Sequence, residues 1–225
     1  MKLLSFIFLL TILVSCGEND TDSSENNNSE KPSEKVENIK SCTYSFVSSS
    51  TEIRWTAYKF KSKSPVPGTF NSVSFSGKTE GDSPEEIIKS ITGVVTTETV
   101  YSADTSRDRK LKDYFFHQMK DSAMIRANII ELNEKGRSGE AIEGSCIIEI
   151  TMNGETRQVG GTYSIHGVKV EIIADISIDT WNAQNALAAI NKACEEKHTA
   201  EGDTESVTWP DVKIVITTEL EKNCH

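Results

Sequence analysis

From about residue 42 onward, hydrophobic and polar positions alternate with a period of two, the signature of strands with one buried face. The clearest case sets Val168, Val170, Ile172, Ala174, Ile176 and Ile178 against Lys169, Glu171, Asp175, Ser177 and Asp179. Ile142, Gly144, Cys146, Ile148, Ile150 and Met152 repeat the arrangement, with Glu143, Ser145 and Glu149 on the other side. Asn153-Gly154 supplies the positive φ pair of a two-residue hairpin loop. It leads into a strand from Arg157 to Ile165, after which His166-Gly167 predicts a second tight turn. These three strands form a meander. Further strands are predicted at Glu52 to Phe60, Thr69 to Gly77, Ile91 to Thr97, Ala123 to Asn133 and Val212 to Leu220, about eight in all.

Two intervals change period. Ser106 can cap a helix running to about Met119, with Leu111, Phe115 and Met119 recurring at four-residue steps. A second helix is predicted from near Trp181 through Ala183, Leu187, Ile190 and Cys194. Regularly spaced strands joined by tight turns suit a sandwich or an up-and-down barrel. We favour an all-β, antiparallel, eight-stranded barrel with one or two short helices, because closure removes the exposed strand edges. Such a barrel encloses either its own side chains or one small ligand.

The N-terminus follows a different pattern. Leu3 to Val14 is apolar except for Ser5 and Thr11, follows Lys2 and ends in Leu13-Val14-Ser15-Cys16. The run is too short to span ~30 Å of hydrocarbon and has the length of a signal-peptide core. The final tetrapeptide resembles a bacterial lipobox, in which the cysteine thiol is diacylated and the chain is cut just before it. The alternative is a plain secretory signal with a chance cysteine. Residues 17 to 41 hold seven acids and three lysines and almost no apolar side chains, which reads as a flexible tether. The chain therefore divides into a signal peptide (1–15), a lipidated Cys16 with its tether (16–41) and a folded domain (42–225).

Charge narrows the function classes. The chain carries a formal charge of −10, and residues 42–225 alone hold 27 acids against 20 bases. That balance argues against general nucleic-acid binding, which draws on neutralising basic charge. There is no Gly-x-Ser-x-Gly elbow, Gly-rich phosphate loop or Cys-x-x-Cys pair. Cys194 and His198 stand four apart, but two ligands do not make a zinc site, so no metal is expected. A small redox or metal-dependent enzyme built on that pair is the weakest of the readings carried forward.

Four cysteines follow Cys16, and export would allow them to pair. In a closed antiparallel barrel with an even strand count, the first strand begins beside the end of the last. A Cys42–Cys224 bridge is therefore expected. Cys146 and Cys194 either pair with each other or remain free thiols.

Several segments, taken in order, resemble the YceI-like family. These are Ile53-Arg54-Trp55-Thr56-Ala57-Tyr58-Lys59-Phe60, Val66-Pro67-Gly68-Thr69-Phe70, and Asp104 to Leu111 with Tyr114-Phe115-Phe116. Ala186-Leu187 to Asn191, Cys194, His198 and Trp209-Pro210-Asp211-Val212 continue the likeness, which spans roughly residues 43 to 221. The resemblance implies a lipocalin-like barrel whose apolar interior holds a long polyisoprenoid or similar lipid, in a secreted or periplasmic protein without catalytic activity. Trp55, Phe75, Ile148, Tyr163, Ile172 and Ile176 would then line the tube, although simple core packing is the plainer account of any one of them and only a continuous tube separates the two. Arg107, Arg109, Lys110 and Lys112 form a basic cluster beside Phe115 and Phe116. Either the aromatics form a lid, with Arg107 and Arg109 near a head group such as a pyrophosphate, or they plug the barrel and the bases are solvated or paired to Asp108 and Asp113.

The expected partners are thus an apolar lipid and, through Cys16, a membrane; a homodimer is left open. No cofactor beyond the lipid is expected. The expected location is the bacterial cell envelope, on an outer-membrane anchor facing the periplasm or at the cell surface. A protective interaction module with a side-chain-filled barrel is the competing function class.

Overall fold

The computed structural model describes residues 41–225, and expectations for residues 1–40, lipidation of Cys16 among them, lie outside that span. The strands are β1 (Cys42–Ser45), β2 (Glu52–Lys59), β3 (Ser64–Phe70), β4 (Val73–Ser76), β5 (Glu80–Gly81), β6 (Thr92–Thr96) and β7 (Val100–Tyr101). They continue with β8 (Met124–Ser138), β9 (Ala141–Met152), β10 (Glu155–His166), β11 (Lys169–Ser177), β12 (Thr208–Glu219) and β13 (Glu221–Cys224). The helices are α1 (Pro84–Ser90), α2 (Thr105–Tyr114), α3 (Gln184–Ala193) and α4 (Glu195–His198).

The β9–β10–β11 meander forms as the alternation predicts. β9 and β10 pair without interruption from Met152↔Glu155 to Ala141↔His166, around Asn153 (φ 53°) and Gly154 (φ 74°). The second turn sits one residue later than expected. His166 still pairs with both Ala141 and Lys169, so Gly167-Val168 makes the loop, and Gly167 takes the positive φ of 64°. Inward side chains pack densely, with Ile142, Cys146, Ile148, Ile165, Val170, Ile172 and Ala174 all buried.

Ten strands form one antiparallel sheet in the order β4-β6-β8-β9-β10-β11-β12-β2-β3-β7. The all-β, antiparallel, barrel-like class stands, but there are more than eight strands and the curled sheet meets itself at a seam instead of closing through a ladder. The difference arises at Asn71-Ser72, where the strand expected from Thr69 to Gly77 breaks in two. Asn71 N–H donates to Thr99 O (2.9 Å) and Thr96 N–H to Ser72 O (3.1 Å). Those two residues carry the chain from β3, beside one edge of the sheet, to β4 at the other. Thr97–Thr99 cross the same seam between β6 and β7. Three peptide units span at most ~11 Å, so the two edges must lie together. Register shifts in β8 at Ile129/Glu131 and Glu134/Gly136 add curl, as bulges do, and β8 runs on to Ser138 rather than ending at Asn133.

One end of the barrel is closed by α1 and a three-stranded sheet, β13-β1-β5. Helix α1 has a full set of start signals. Ser83 Oγ accepts from Glu86 N–H (3.2 Å), Pro84 opens the first turn, and Ile87 is fully buried. Cys42 and Cys224 face each other across the β1–β13 ladder and are disulfide-bonded. The staple exists, but between two strands outside the main sheet.

Helices cover the other end. Asp104, not Ser106, caps α2, its Oδ1 accepting from the Ser106 and Arg107 N–H groups at 3.0 Å each. The helix stops at Tyr114, although Phe115 N–H still donates to Leu111 O (3.2 Å), and Phe116–Gln118 form a 3-10 turn. The second predicted helix also starts later. Ile178–Trp181 make a 3-10 turn, Asn182 enters the left-handed region (φ 54°), and α3 begins at Gln184. Trp181 fixes this segment to β9, with its indole N–H donating to Ile150 O (3.0 Å) and its side chain fully buried.

Candidate functional site

The interior faces of the curled sheet and the covering helices enclose a cavity of about 270 Å³. Ile53, Trp55 and Ala57 of β2, Ile148 and Ile150 of β9, and Ile172, Ala174 and Ile176 of β11 form much of its wall. Val212, Ile214 and Ile216 of β12 extend it, and Leu111, Phe115, Phe116, Leu187 and Ile190 cover it from the helical end. On β12 the lining runs from Thr208 to Thr218. At ~3.3 Å per residue that is roughly 30 Å of strand. The hollow is thus long and narrow.

Trp55 takes its position from the neighbouring strand. Its indole covers Gly68, and Nε1–H donates to Thr69 O (3.2 Å). Phe75 packs edge-on against Phe46 (centroids 5.1 Å apart), and Phe115, Phe116 and Phe70 form a chain of ring contacts. At the α1 end, Thr51 Oγ1 and Thr218 Oγ1 share a hydrogen bond of 2.7 Å.

Of the residues expected at the site, Trp55, Phe75, Phe115, Phe116, Ile148, Ile172, Ile176 and Arg107 line this cavity. Tyr163 does not. It points inward as its alternation requires, but its ring packs over Gly144 with only 4% of it exposed, and β10 contributes no residue to the lining. Burial, then the Glu85 and Glu134 carboxylates, push its phenol up. Arg109 is also outside the site, on the solvent side of α2. Neither of the acids expected to pair with the helix bases does so. Asp108 Oδ1 accepts from Ser102 N–H (2.8 Å) and Oγ–H (2.6 Å), Asp113 lies 4.0 Å from His117, and Arg107 turns to Asp104.

The helical end holds a polar group of which local pattern announces only Arg107 and the Cys194–His198 pair. Lys59, Arg107, Cys194, His198, Thr208 and Trp209 all line the cavity there. Lys110 Nζ donates to Ala193 O (2.7 Å), capping the last carbonyl of α3, and Lys59 Nζ donates to Lys197 O (3.3 Å). Thr208 Oγ1–H donates to Asn191 Oδ1 (2.9 Å), so its oxygen accepts from His198 Nδ1–H at 2.7 Å. Burial, and then the charges of Lys59, Lys110 and Arg107, lower the His198 pKa to about 4, so the ring is neutral at pH 7. Cys146 and Cys194 are both free and buried, and burial pushes both thiols up. Among the described residues, no three His, Cys, Asp or Glu side chains are grouped to ligate a metal.

Known proteins bear on this arrangement. The fold is similar to a polyisoprenoid binding domain from Saccharophagus degradans implicated in plant cell wall breakdown, at 10% identity and a TM-score of 0.57, covering 80% of this chain and 98% of that one. It is also similar to Burkholderia cenocepacia BcnA, at 14% identity and a TM-score of 0.50, covering 79% and 99%. No curated protein matches the sequence. The YceI-like domain matches residues 44–220, from β1 to the residue after β12. A match over that whole curled sheet, with its cavity, means that the chain belongs to the YceI-like domain family.

Proposed function

We propose that this protein is a non-catalytic carrier or buffer of a lipid with a long apolar chain, an isoprenoid or a similar molecule, in the bacterial cell envelope. The observation that carries the reading is the narrow, almost wholly apolar hollow running along β12 from Thr208 to Thr218. A flexible hydrocarbon chain offers no charge to recognise, so its site needs a continuous aliphatic and aromatic wall. The polyisoprenoid binding domain with a similar fold supports the same ligand class. Lipidation of Cys16 would hold the carrier on the outer membrane, facing the periplasm or the cell surface, and multiple acyl chains make such an anchor stable.

The competing reading is a protective interaction module whose barrel is filled by its own side chains. The cavity volume favours it in one respect, since about 270 Å³ lies just below the usual ~300–1,000 Å³ of ligand pockets. Natively purified protein decides between the two. Gentle solvent extraction followed by mass spectrometry is expected to release an apolar lipid. Folded protein that yields none across several growth conditions would remove the carrier reading.

A further inference from the structure

An apolar chain explains the wall of the cavity but not its helical end. Lys59 and Arg107 line that end, and Lys110 and Lys197 stand behind it. They come from the last residue of β2, from α2 and from α4, so the fold rather than the local sequence assembles them. Their present contacts leave most of their donors free. Lys110 and Lys59 each give one hydrogen to a backbone carbonyl, and Lys59 Nζ also lies 4.5 Å from the centre of the Phe60 ring. Among the described residues the one side-chain partner of Arg107 is Asp104, at a long 3.4 Å, and that carboxylate already caps α2.

The surroundings report the same imbalance. The charges that bear on the His198 ring are those of Lys59, Lys110 and Arg107, and those that bear on Cys194 are the same three with Lys197. All are cations, in a domain whose acids outnumber its bases, and the Asp104 carboxylate, which feels Arg107 and Lys197, offsets only one of these four charges. Holding like charges together beside a low-dielectric hollow is unfavourable unless an anion joins them. A neutral hydrocarbon gains nothing from such a group. A phosphate or carboxylate gains charge-assisted hydrogen bonds while its chain fills the tube.

We infer that the lipid carried in the barrel ends in an anionic oxygen-rich head, a phosphate or a carboxylate, seated between Lys59 and Arg107 at the helical end of the cavity. This rests on the lipid-carrier reading. It also fixes the polarity of the bound molecule, with the head under α2 and the tail running toward Thr51 and Thr218.

The test compares heads on one chain. Farnesol, farnesyl monophosphate and farnesoic acid are titrated into the full chain by displacement of the apolar fluorophore N-phenylnaphthylamine. At least one anion is expected to bind about tenfold more tightly than the alcohol, the worth of one hydrogen bond to a charged group. The advantage should shrink as salt rises, and the tighter anion identifies the head. Lys59→Gln with Arg107→Gln should bring the anion-to-alcohol ratio toward one, and Arg107→Lys should keep most of it. Lys169→Gln, on the exposed face of β11, should leave the ratio as it is. If the double substitution prevents folding, Arg107→Gln alone provides the comparison. Equal affinity for alcohol and both anions, or a ratio that survives loss of the two cations, overturns the head assignment and leaves the carrier reading standing. Binding of none of the three overturns both.

Discussion

The indole of Trp55 rests directly on Gly68 of the neighbouring strand: a Cβ added at position 68 would stand 2.1 Å from Cζ2 of the ring. No side chain can occupy that space unless the Trp moves, and Trp55 is part of the cavity wall. Gly68→Val is therefore expected to cost about 1–3 kcal/mol, the range for overpacking a filled interior. It should also change the affinity of an apolar probe. Urea unfolding and probe titration check the two effects, and wild-type values for both would contradict this packing.

Ile172 is 5% exposed and faces the cavity from the centre of β11. Ile172→Asp is expected to abolish retention of the bound lipid, because a carboxylate in an apolar tube must keep its hydration or lose its charge. Ile130→Asp, on the outer face of β8, is the matched control and should keep the lipid. Mass spectrometry of extracts from both purified variants gives the readout.

Cys42 and Cys224 close a loop with a sequence separation of 182. In the chain-entropy account such a cross-link stabilises by on the order of 5 kcal/mol. Reduction, or Cys42→Ser, should lower the unfolding midpoint substantially while the main sheet persists. Peptide mapping without reduction should recover Cys42 linked to Cys224, and a different partner would refute the pairing.

The two free thiols should behave alike. Burial raises the pKa of Cys146 and of Cys194, so little thiolate is present near neutral pH. Iodoacetamide is expected to label neither at an appreciable rate until the protein is unfolded. Rapid labelling of the native protein at Cys194 would indicate a cavity open to water.

His198 should give the domain a pH-dependent component of stability. Its folded pKa of about 4 lies below its ordinary value of 6.5, so between these limits the unfolded chain binds the extra proton. The contribution is fully present above pH 6.5 and is lost as pH falls toward about 4. His198→Gln should accordingly flatten the dependence of melting temperature on pH in that window. An imidazole that titrates near 6.5 by NMR would contradict this environment.

Much of the fold is readable from residue pattern alone, and the exceptions have physical causes. Period-two alternation locates β8 to β12 because those strands bury one continuous face. It misplaces the break at Asn71-Ser72, since a crossing between sheet edges keeps extended backbone on both sides and leaves the alternation almost intact. Ser83-Pro84-Glu85-Glu86 does announce α1, but the helix is only seven residues long and shows too little periodicity to stand out from the strands around it. The capping role goes to Asp104 instead of Ser106 because extended backbone at Asp104 aims its carboxylate at the first free amides.

At the site, alternation finds the wall without finding its ends. Tyr163 and Ile172 are register partners on the same inward face, yet only Ile172 reaches the hollow. No residue of β10 reaches the cavity wall, and alternation carries no information about which strands do. The cationic end is less legible still. Lys59, Arg107, Lys110 and Lys197 come together only when the end of β2 meets the α2 and α4 helices, so just the α2 members appear as a local cluster.

The seam between β4 and β7 bears on how wide the barrel can become. In a sheet hydrogen-bonded all the way round, a larger bore requires broken ladder bonds, each worth about 0.5–1.5 kcal/mol. Here the two edges are joined by short chain crossings at Asn71-Ser72 and Thr97–Thr99 and share no ladder among the described residues. Covalent links cannot lengthen, but their torsions can turn. Girth is therefore governed by how Phe70, Phe75 and Val95, on the two sides of the seam, pack against whatever fills the tube.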